Sequence, residues 1–209
     1  MQRRRILALC FAISSTVALL GAPPAAQATP AVGQPAPDFS LKDTSGKTVR
    51  LADFKGRYVV LEWTNPGCPF VQKHYNSGNI PATQKDALAR GVAWLSINST
   101  EAASGDYLEP ARLAAWYQAR QSAQTALLMD EEGTVGRAYG ARTTPHLYII
   151  NPQGMLVYAG GIDSIASARA EDLKTATNYV RQGLDEALAG KPISQAATRP
   201  YGCSIKYKS

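Results

Sequence analysis

Cys68 is the residue whose setting points most directly to chemistry. It follows the run Leu61-Glu62-Trp63-Thr64 and the breaker Asn65-Pro66-Gly67, and it precedes Pro69, a residue suited to a first helical turn. A cysteine at that junction meets the unpaired backbone N–H groups and the positive end of the helix dipole, which favour an anion. The thiolate is that anion, and it is the form that attacks disulfides and peroxides. The competing reading is a buried, inert thiol, a common fate of free cysteine. Glu62, six residues earlier, stands among Val59, Val60, Leu61 and Trp63. Burial there raises its pKa, and a carboxyl so tuned takes or gives a thiol proton; a solvated glutamate at a sheet edge is the alternative.

These groups need a strand ahead of them and a helix behind. Tyr58 to Trp63 is a continuous β-prone run, the mark of a central strand covered on both faces. A short hairpin, Phe39 to Lys42 and Thr48 to Leu51, is expected around Asp43-Thr44-Ser45-Gly46. After Cys68 the pattern gives one helical stretch, then a second from Pro81 to Arg90 closed by Gly91, then the strand Val92 to Ile97: a βαβ unit. A helix with Pro110 near its start and Leu113, Ala114, Trp116 and Tyr117 on its apolar side leads to the strand Ala126 to Met129. Leu147 to Ile150 and Met155 to Ala159 form an antiparallel hairpin across the type I turn Asn151-Pro152-Gln153-Gly154. Leu173, Ala176, Val180, Leu184 and Leu188 predict one long last helix, with Gly190 and Pro192 beyond it, and a polar tail carries Cys203. The expected fold class is one α/β domain with a mixed sheet flanked by helices.

Composition narrows the context. At 209 residues, 45% hydrophobic and 18% charged, the chain fits one globular domain with appendages. Arg3-Arg4-Arg5, the apolar run Ile6 to Leu20 and Ala26-Gln27-Ala28 read as a secretory signal cleaved after residue 28. The run is interrupted by Ser14, Ser15 and Thr16 and is shorter than a membrane span requires. Cys10 leaves with the signal, so Cys68 and Cys203 remain in a protein expected to be periplasmic or secreted, where disulfides form and exchange. The division expected is a signal over 1–28, a flexible lead-in over 29–37, the main domain over 38–190 and a tail over 191–209. The three arginines account for half of the formal charge of +6. What remains, without a basic run or interleaved aromatics, gives no footprint for nucleic acid. Gly133, Gly136 and Gly140 lack dinucleotide-loop spacing, so no nucleotide cofactor is expected, nor any other.

Over residues 32 to 190 the chain resembles the thioredoxin-like redoxins, especially the exported peroxiredoxin-like (AhpC/TSA-related) and TlpA-like members. Trp63-Thr64-Asn65-Pro66-Gly67-Cys68-Pro69 is similar to their active-site entry, and Thr144-Pro145-His146-Leu147-Tyr148-Ile149-Ile150 to their cis-proline and following strand. The resemblance implies a thioredoxin-like fold with an N-terminal hairpin extension. It further implies that Pro145, with Thr144, packs against the nucleophile Cys68 and presents partner backbone. Glu62 matches the buried acid position of thioredoxins. Two departures matter. Val71 stands where dithiol thioredoxins have a second cysteine, and Asn65 and Leu61 stand where typical peroxiredoxins have Thr and Pro. Arg142 is only near the place of their catalytic arginine, which Pro145 occupies. Gly202-Cys203-Ser204-Ile205-Lys206-Tyr207 resembles a C-terminal segment of the peroxiredoxin-like subgroup, implying that Cys203 resolves oxidised Cys68 or stores a disulfide with it; an unpaired tail thiol is the alternative.

The leading expectation is an exported thiol-disulfide oxidoreductase acting on thiol or disulfide protein partners. A peroxidase acting on a small oxidant such as peroxide is the second reading, and a soft-metal protein holding Cu(I) through Cys68, Cys203 and a histidine is the third. His146, next to Pro145, faces the site in one reading. His74, six residues past Cys68, is read as surface or packing, Lys73 and Tyr75 as the solvated side of the same helix, and Asp130-Glu131-Glu132-Gly133 as a solvated loop.

Overall fold

The computed structural model describes residues 30–209; the expected signal, with Cys10, lies outside them. The central strand forms where the β-prone run stood. β3 (Val59–Trp63) is buried at every position and pairs in parallel with β4 (Ala93–Asn98) and antiparallel with β7 (His146–Ile150). A strand covered on both faces carries no polar alternation, which explains the unbroken apolar run. With β1 (Ser40–Asp43), β2 (Thr48–Arg50), β5 (Ala126–Met129) and β8 (Leu156–Gly160), these make a seven-stranded mixed sheet in the order β2-β1-β5-β4-β3-β7-β8.

Alternation along the strands sorts the side chains into two cores. Val60, Trp94, Leu147 and Ile149 face α1 (Pro69–Asn76), α2 (Asn79–Ala89), α3 (Pro110–Gln118) and α5 (Tyr179–Leu188). Val59, Leu61, Trp63, Leu95 and Tyr148 face α4 (Thr134–Tyr139) and the N-terminal segment around Phe39 and Val49. Local chemistry closes the turns. In the first hairpin Asp43 accepts from Ser45 N at 2.8 Å and Lys47 N at 2.9 Å, and Gly46 takes the positive φ the turn requires. Ahead of β1, the amides of Gly33 and Ala36 donate to Leu156 and Gly154, so the segment expected as a flexible lead-in is tied to the β7–β8 hairpin.

Several expectations need correction. The last helix does not begin at Leu173: Ala170–Lys174 is a separate 3-10 turn, and α5 starts only after Asn178, whose side chain accepts from Arg181 N at 3.0 Å. Asn and Thr favour caps over helix interiors, and Thr175, Thr177 and Asn178 end the periodic pattern there. Leu173 and Ala176 are therefore only half-buried, and Leu188 at the far end is exposed. Asp130, placed in a solvated loop, is buried; it accepts from Ser99 Oγ at 2.6 Å and from the amides of Val135 and Gly136 at the start of α4. Helix α4 itself was not foreseen. Nor were β6 (Thr143–Thr144) and β9 (Cys203–Ser204), which pair antiparallel in a small second sheet.

Candidate redox site

The loop after β3 is shaped by Asn65. Its Oδ1 accepts from Gly67 N at 2.7 Å, its Nδ2 donates to Thr100 Oγ1 at 2.7 Å, and its backbone carbonyl accepts from Cys68 N at 3.1 Å. Those bonds turn the chain so that Cys68 caps α1 and Pro69 occupies the first turn. Cys68 is 2% exposed, and its Sγ–H donates to the Thr144 carbonyl at 3.0 Å. The Thr144–Pro145 bond is cis. Trp63 lies under the loop on the opposite sheet face, with its indole N–H on Ser99 Oγ at 3.0 Å.

The tail completes the site. Thr144 pairs with Cys203 and Thr143 with Ser204. Both Cys68 and Cys203 are free thiols, and both line one small cavity of about 100 Å³, together with Thr64, Asn65, Thr100, Asp106, Thr144 and Lys206. Burial and then the neighbouring Cys68 push the Cys203 thiol up to about 12. Gly202 makes the approach possible: its φ is +137°, and a Cβ there would collide with the Thr144 carbonyl.

Glu62 is fully buried on the helix-covered face. It accepts from Trp94 Nε1 at 2.7 Å, Tyr75 OH at 2.9 Å, Ser96 Oγ at 3.0 Å and Gln84 Nε2 at 3.4 Å. No cation is among these partners, so burial outweighs the donors and holds its pKa above the usual carboxylate range. Thr64 lines the cavity of the thiols and bonds the Tyr117 hydroxyl at 2.7 Å. Burial, and then the neighbouring Glu62 carboxyl, raise the pKa of the Tyr117 phenol. Sequence reading did not single out Thr64 as a cavity residue or Tyr117 as more than a core residue; a hydroxyl two residues beyond Glu62, on the same strand face, was the available signal.

Other candidates fall elsewhere. His146 stacks on Tyr148 with ring centroids 4.5 Å apart, on the face away from Cys68, and burial with Arg142 nearby lowers its pKa to about 4. It does not line the thiol cavity, and neither does Arg142. His74 is a packing residue, fully buried, lowered to about 3 by burial and the neighbouring Lys73 charge. Lys73 and Tyr75 are buried, not solvated. Tyr75 turns inward to Glu62, while Lys73 is covered by the returning tail and reaches Asp163 Oδ2 at 3.4 Å. Among the described residues no three His, Cys, Asp or Glu side chains converge as a metal site, and no helix is long and apolar enough to cross a membrane.

A cysteine capping the first helix after a central strand, facing a cis-proline loop on a mixed sheet, defines a thioredoxin-like redoxin. The chain belongs to the AhpC/TSA family, whose profile matches residues 32–159. It is 36% identical over 66 residues to peroxiredoxin Bcp of Bacillus subtilis, covering 30% of this chain and 42% of that protein. To the thiol-disulfide oxidoreductase ResA of the same organism it is 26% identical over 125 residues, 60% of this chain and 64% of that one. The chain thus spans less than two thirds of these curated relatives. A hypothetical protein of Sinorhizobium meliloti superposes with a TM-score of 0.76 at 28% identity, covering 86% of this chain and 96% of that one. A putative thiol:disulfide interchange protein DsbE of Chlorobium tepidum gives 0.50 at 25% identity, covering 62% and 84%.

Proposed function

We propose that this protein is an exported thiol-disulfide oxidoreductase in which Cys68 is the nucleophile and Cys203 the second thiol. The observation that carries the reading is the pair of free thiols on the wall of one small cavity, one capping a helix and the other brought in by the tail. Cys68, as thiolate, attacks a partner disulfide; a mixed disulfide forms and one partner thiol leaves. Cys203 gives up its proton and attacks Cys68 Sγ, forming the Cys68–Cys203 disulfide and releasing the second partner thiol, so the partner gains two electrons and this chain loses two. Glu62 takes and returns the thiol proton, while Thr144 and Pro145 fix the approach to Cys68. The basic start, apolar run and Ala-x-Ala of residues 1–28 support export to a periplasm or beyond the cell.

A second reading is a thiol peroxidase, favoured by the size of the cavity, which suits a small oxidant. Peroxide would then oxidise Cys68 to the sulfenic acid, releasing water or an alcohol, and Cys203 would displace water to give the same disulfide. Mass spectrometry with peptide mapping, after one equivalent of hydrogen peroxide or of oxidised glutathione, decides between them. A Cys68–Cys203 link that forms fast only with glutathione supports exchange, one that forms fast with peroxide supports peroxidase action, and no link under either removes both.

A further inference from the structure

The tail is fastened on both sides of Cys203. Downstream, Ile205 N donates to Arg142 O at 3.1 Å, Glu101 N donates to Lys206 O at 2.8 Å, and Tyr207 OH donates to Ala141 O at 2.8 Å. Upstream, residues 196–198 bond to Ala159 and Gly161, and the fastening nearest the thiol is a cluster around Tyr201, two residues before it. The Tyr201 hydroxyl donates to Asp163 Oδ1 and lies 3.3 Å from Lys73 Nζ and 3.2 Å from His74 Nε2. Its ring meets Phe70 edge-on at 5.7 Å, and Lys73 Nζ sits 5.4 Å from the ring centre.

The hydrogen bonds assign themselves. Tyr201 gives its proton to Asp163, so its oxygen accepts from Lys73 and from a His74 Nε2–H. His74 Nδ1 is then free to accept from Asn79 Nδ2 at 2.7 Å. Phe70, Lys73 and His74 all belong to α1, the helix that Cys68 caps. The tail is therefore anchored to the same rigid element that holds the nucleophile, which fixes one thiol relative to the other.

We propose that Tyr201 is a positioning residue for Cys203: its hydroxyl, held by Asp163, Lys73 and His74, sets the effective concentration of Cys203 at Cys68. This rests on the pairing of the two cysteines proposed above. An intramolecular disulfide is favoured over a mixed disulfide with a small thiol in proportion to that effective concentration. Prepaid ordering of the tail raises it, and loosening the tail lowers it.

The test is the equilibrium of the Cys68–Cys203 disulfide with reduced and oxidised glutathione, in the wild type and in Tyr201→Phe. Phenylalanine keeps the packing on Phe70 and removes only the hydroxyl. The expected result is an equilibrium constant lower by about tenfold in the variant, with hydrogen exchange accelerated at the amides of Cys203 and Ile205. Cys68 reactivity toward a small disulfide reagent, measured in a Cys203→Ser background, should be the same with and without the hydroxyl. A wild type that pairs its cysteines and a Tyr201→Phe variant with the same constant would overturn the positioning role alone. A wild type that never pairs them would overturn the pairing and this inference together.

Discussion

Two buried carboxylates touch helix α1, and they are supported in opposite ways. Glu62 accepts only from neutral donors, supplied by Tyr75, Gln84, Trp94 and Ser96. Asp163 has a lysine: Lys73 Nζ lies 3.4 Å away with both side chains shielded, and the Tyr201 hydroxyl and the Ile165 amide, at 3.0 Å, donate to its Oδ1. A buried carboxylate with a cation is an anchor, because breaking the pair strands a charge. One without a cation pays the cost of ionisation itself and is poised to carry a proton. Asp163 holds the tail, and Glu62 is the carboxyl proposed above to move the thiol proton.

The largest effect should come from the anchored side. Asp163→Ala leaves Lys73 buried without a counter-charge and should cost about 3–5 kcal/mol of stability, read by urea denaturation at neutral pH. A loss below about 1 kcal/mol, the scale of a solvated surface pair, would show that Lys73 escapes to water and that the contrast between the two carboxylates is not real.

Glu62→Gln probes the other side. If Glu62 handles the thiol proton, the variant should slow single-turnover exchange with oxidised glutathione by about 100-fold and lose the part of the pH–rate profile that reports ionisation of a carboxyl. Stability should move differently. The pKa of Glu62 is raised on folding, so its favourable contribution is complete below its ordinary value of 4.5 and is lost as pH rises. The variant should thus gain on the wild type as pH increases above 4.5. An unaltered rate and profile would reduce Glu62 to a packing residue.

The histidines give the opposite slope. His74 falls from 6.5 to about 3 and His146 to about 4 on folding. Their neutral forms contribute stability that is complete above pH 6.5 and is lost as pH falls toward those values, at no more than about 1.4 kcal/mol per pH unit for each proton. Thermal melts between pH 7 and 4 should therefore slope less steeply in His74→Gln than in the wild type. Parallel curves would mean that His74 is not held neutral beside Lys73.

The two sides also differed in how far they could be read from the chain. Glu62, the loop Asn65-Pro66-Gly67, Cys68 and Pro69 were visible because a strand, a breaker and a helix start are local signals, whereas Thr144-Pro145 was reached only through the family resemblance. Lys73, Tyr75 and Asp163 were not, because what covers them comes from far along the sequence: Tyr201 lies 128 positions after Lys73. An eight-residue helix with polar positions at 72, 73, 74 and 76 reads as half solvated until the tail is laid across it. Helix α4 was hidden for a related reason. It is six residues long, is flanked by Gly133 and Gly140, and owes its first turn to the side chain of Asp130.

The smallest expected effect sharpens the comparison most finely, because it reports the charge on Glu62 without touching that residue. Ser96 Oγ donates to Glu62 Oε2 at 3.0 Å from the neighbouring strand, and Ser96 is fully buried. Removing a donor costs about 1 kcal/mol when the acceptor is neutral and about twice that when it is ionised. Ser96→Ala should therefore be mildly destabilising at pH 5, where more of the carboxyl is protonated, and more destabilising at pH 8. The same loss raises the Glu62 pKa further, since Ser96 is one of the donors that lower it. Denaturation of wild type and variant at the two pH values measures the difference directly. A cost independent of pH would mean that Glu62 keeps one protonation state throughout, and the division of labour between the two carboxylates would have to be redrawn around an acid that never gives up its proton.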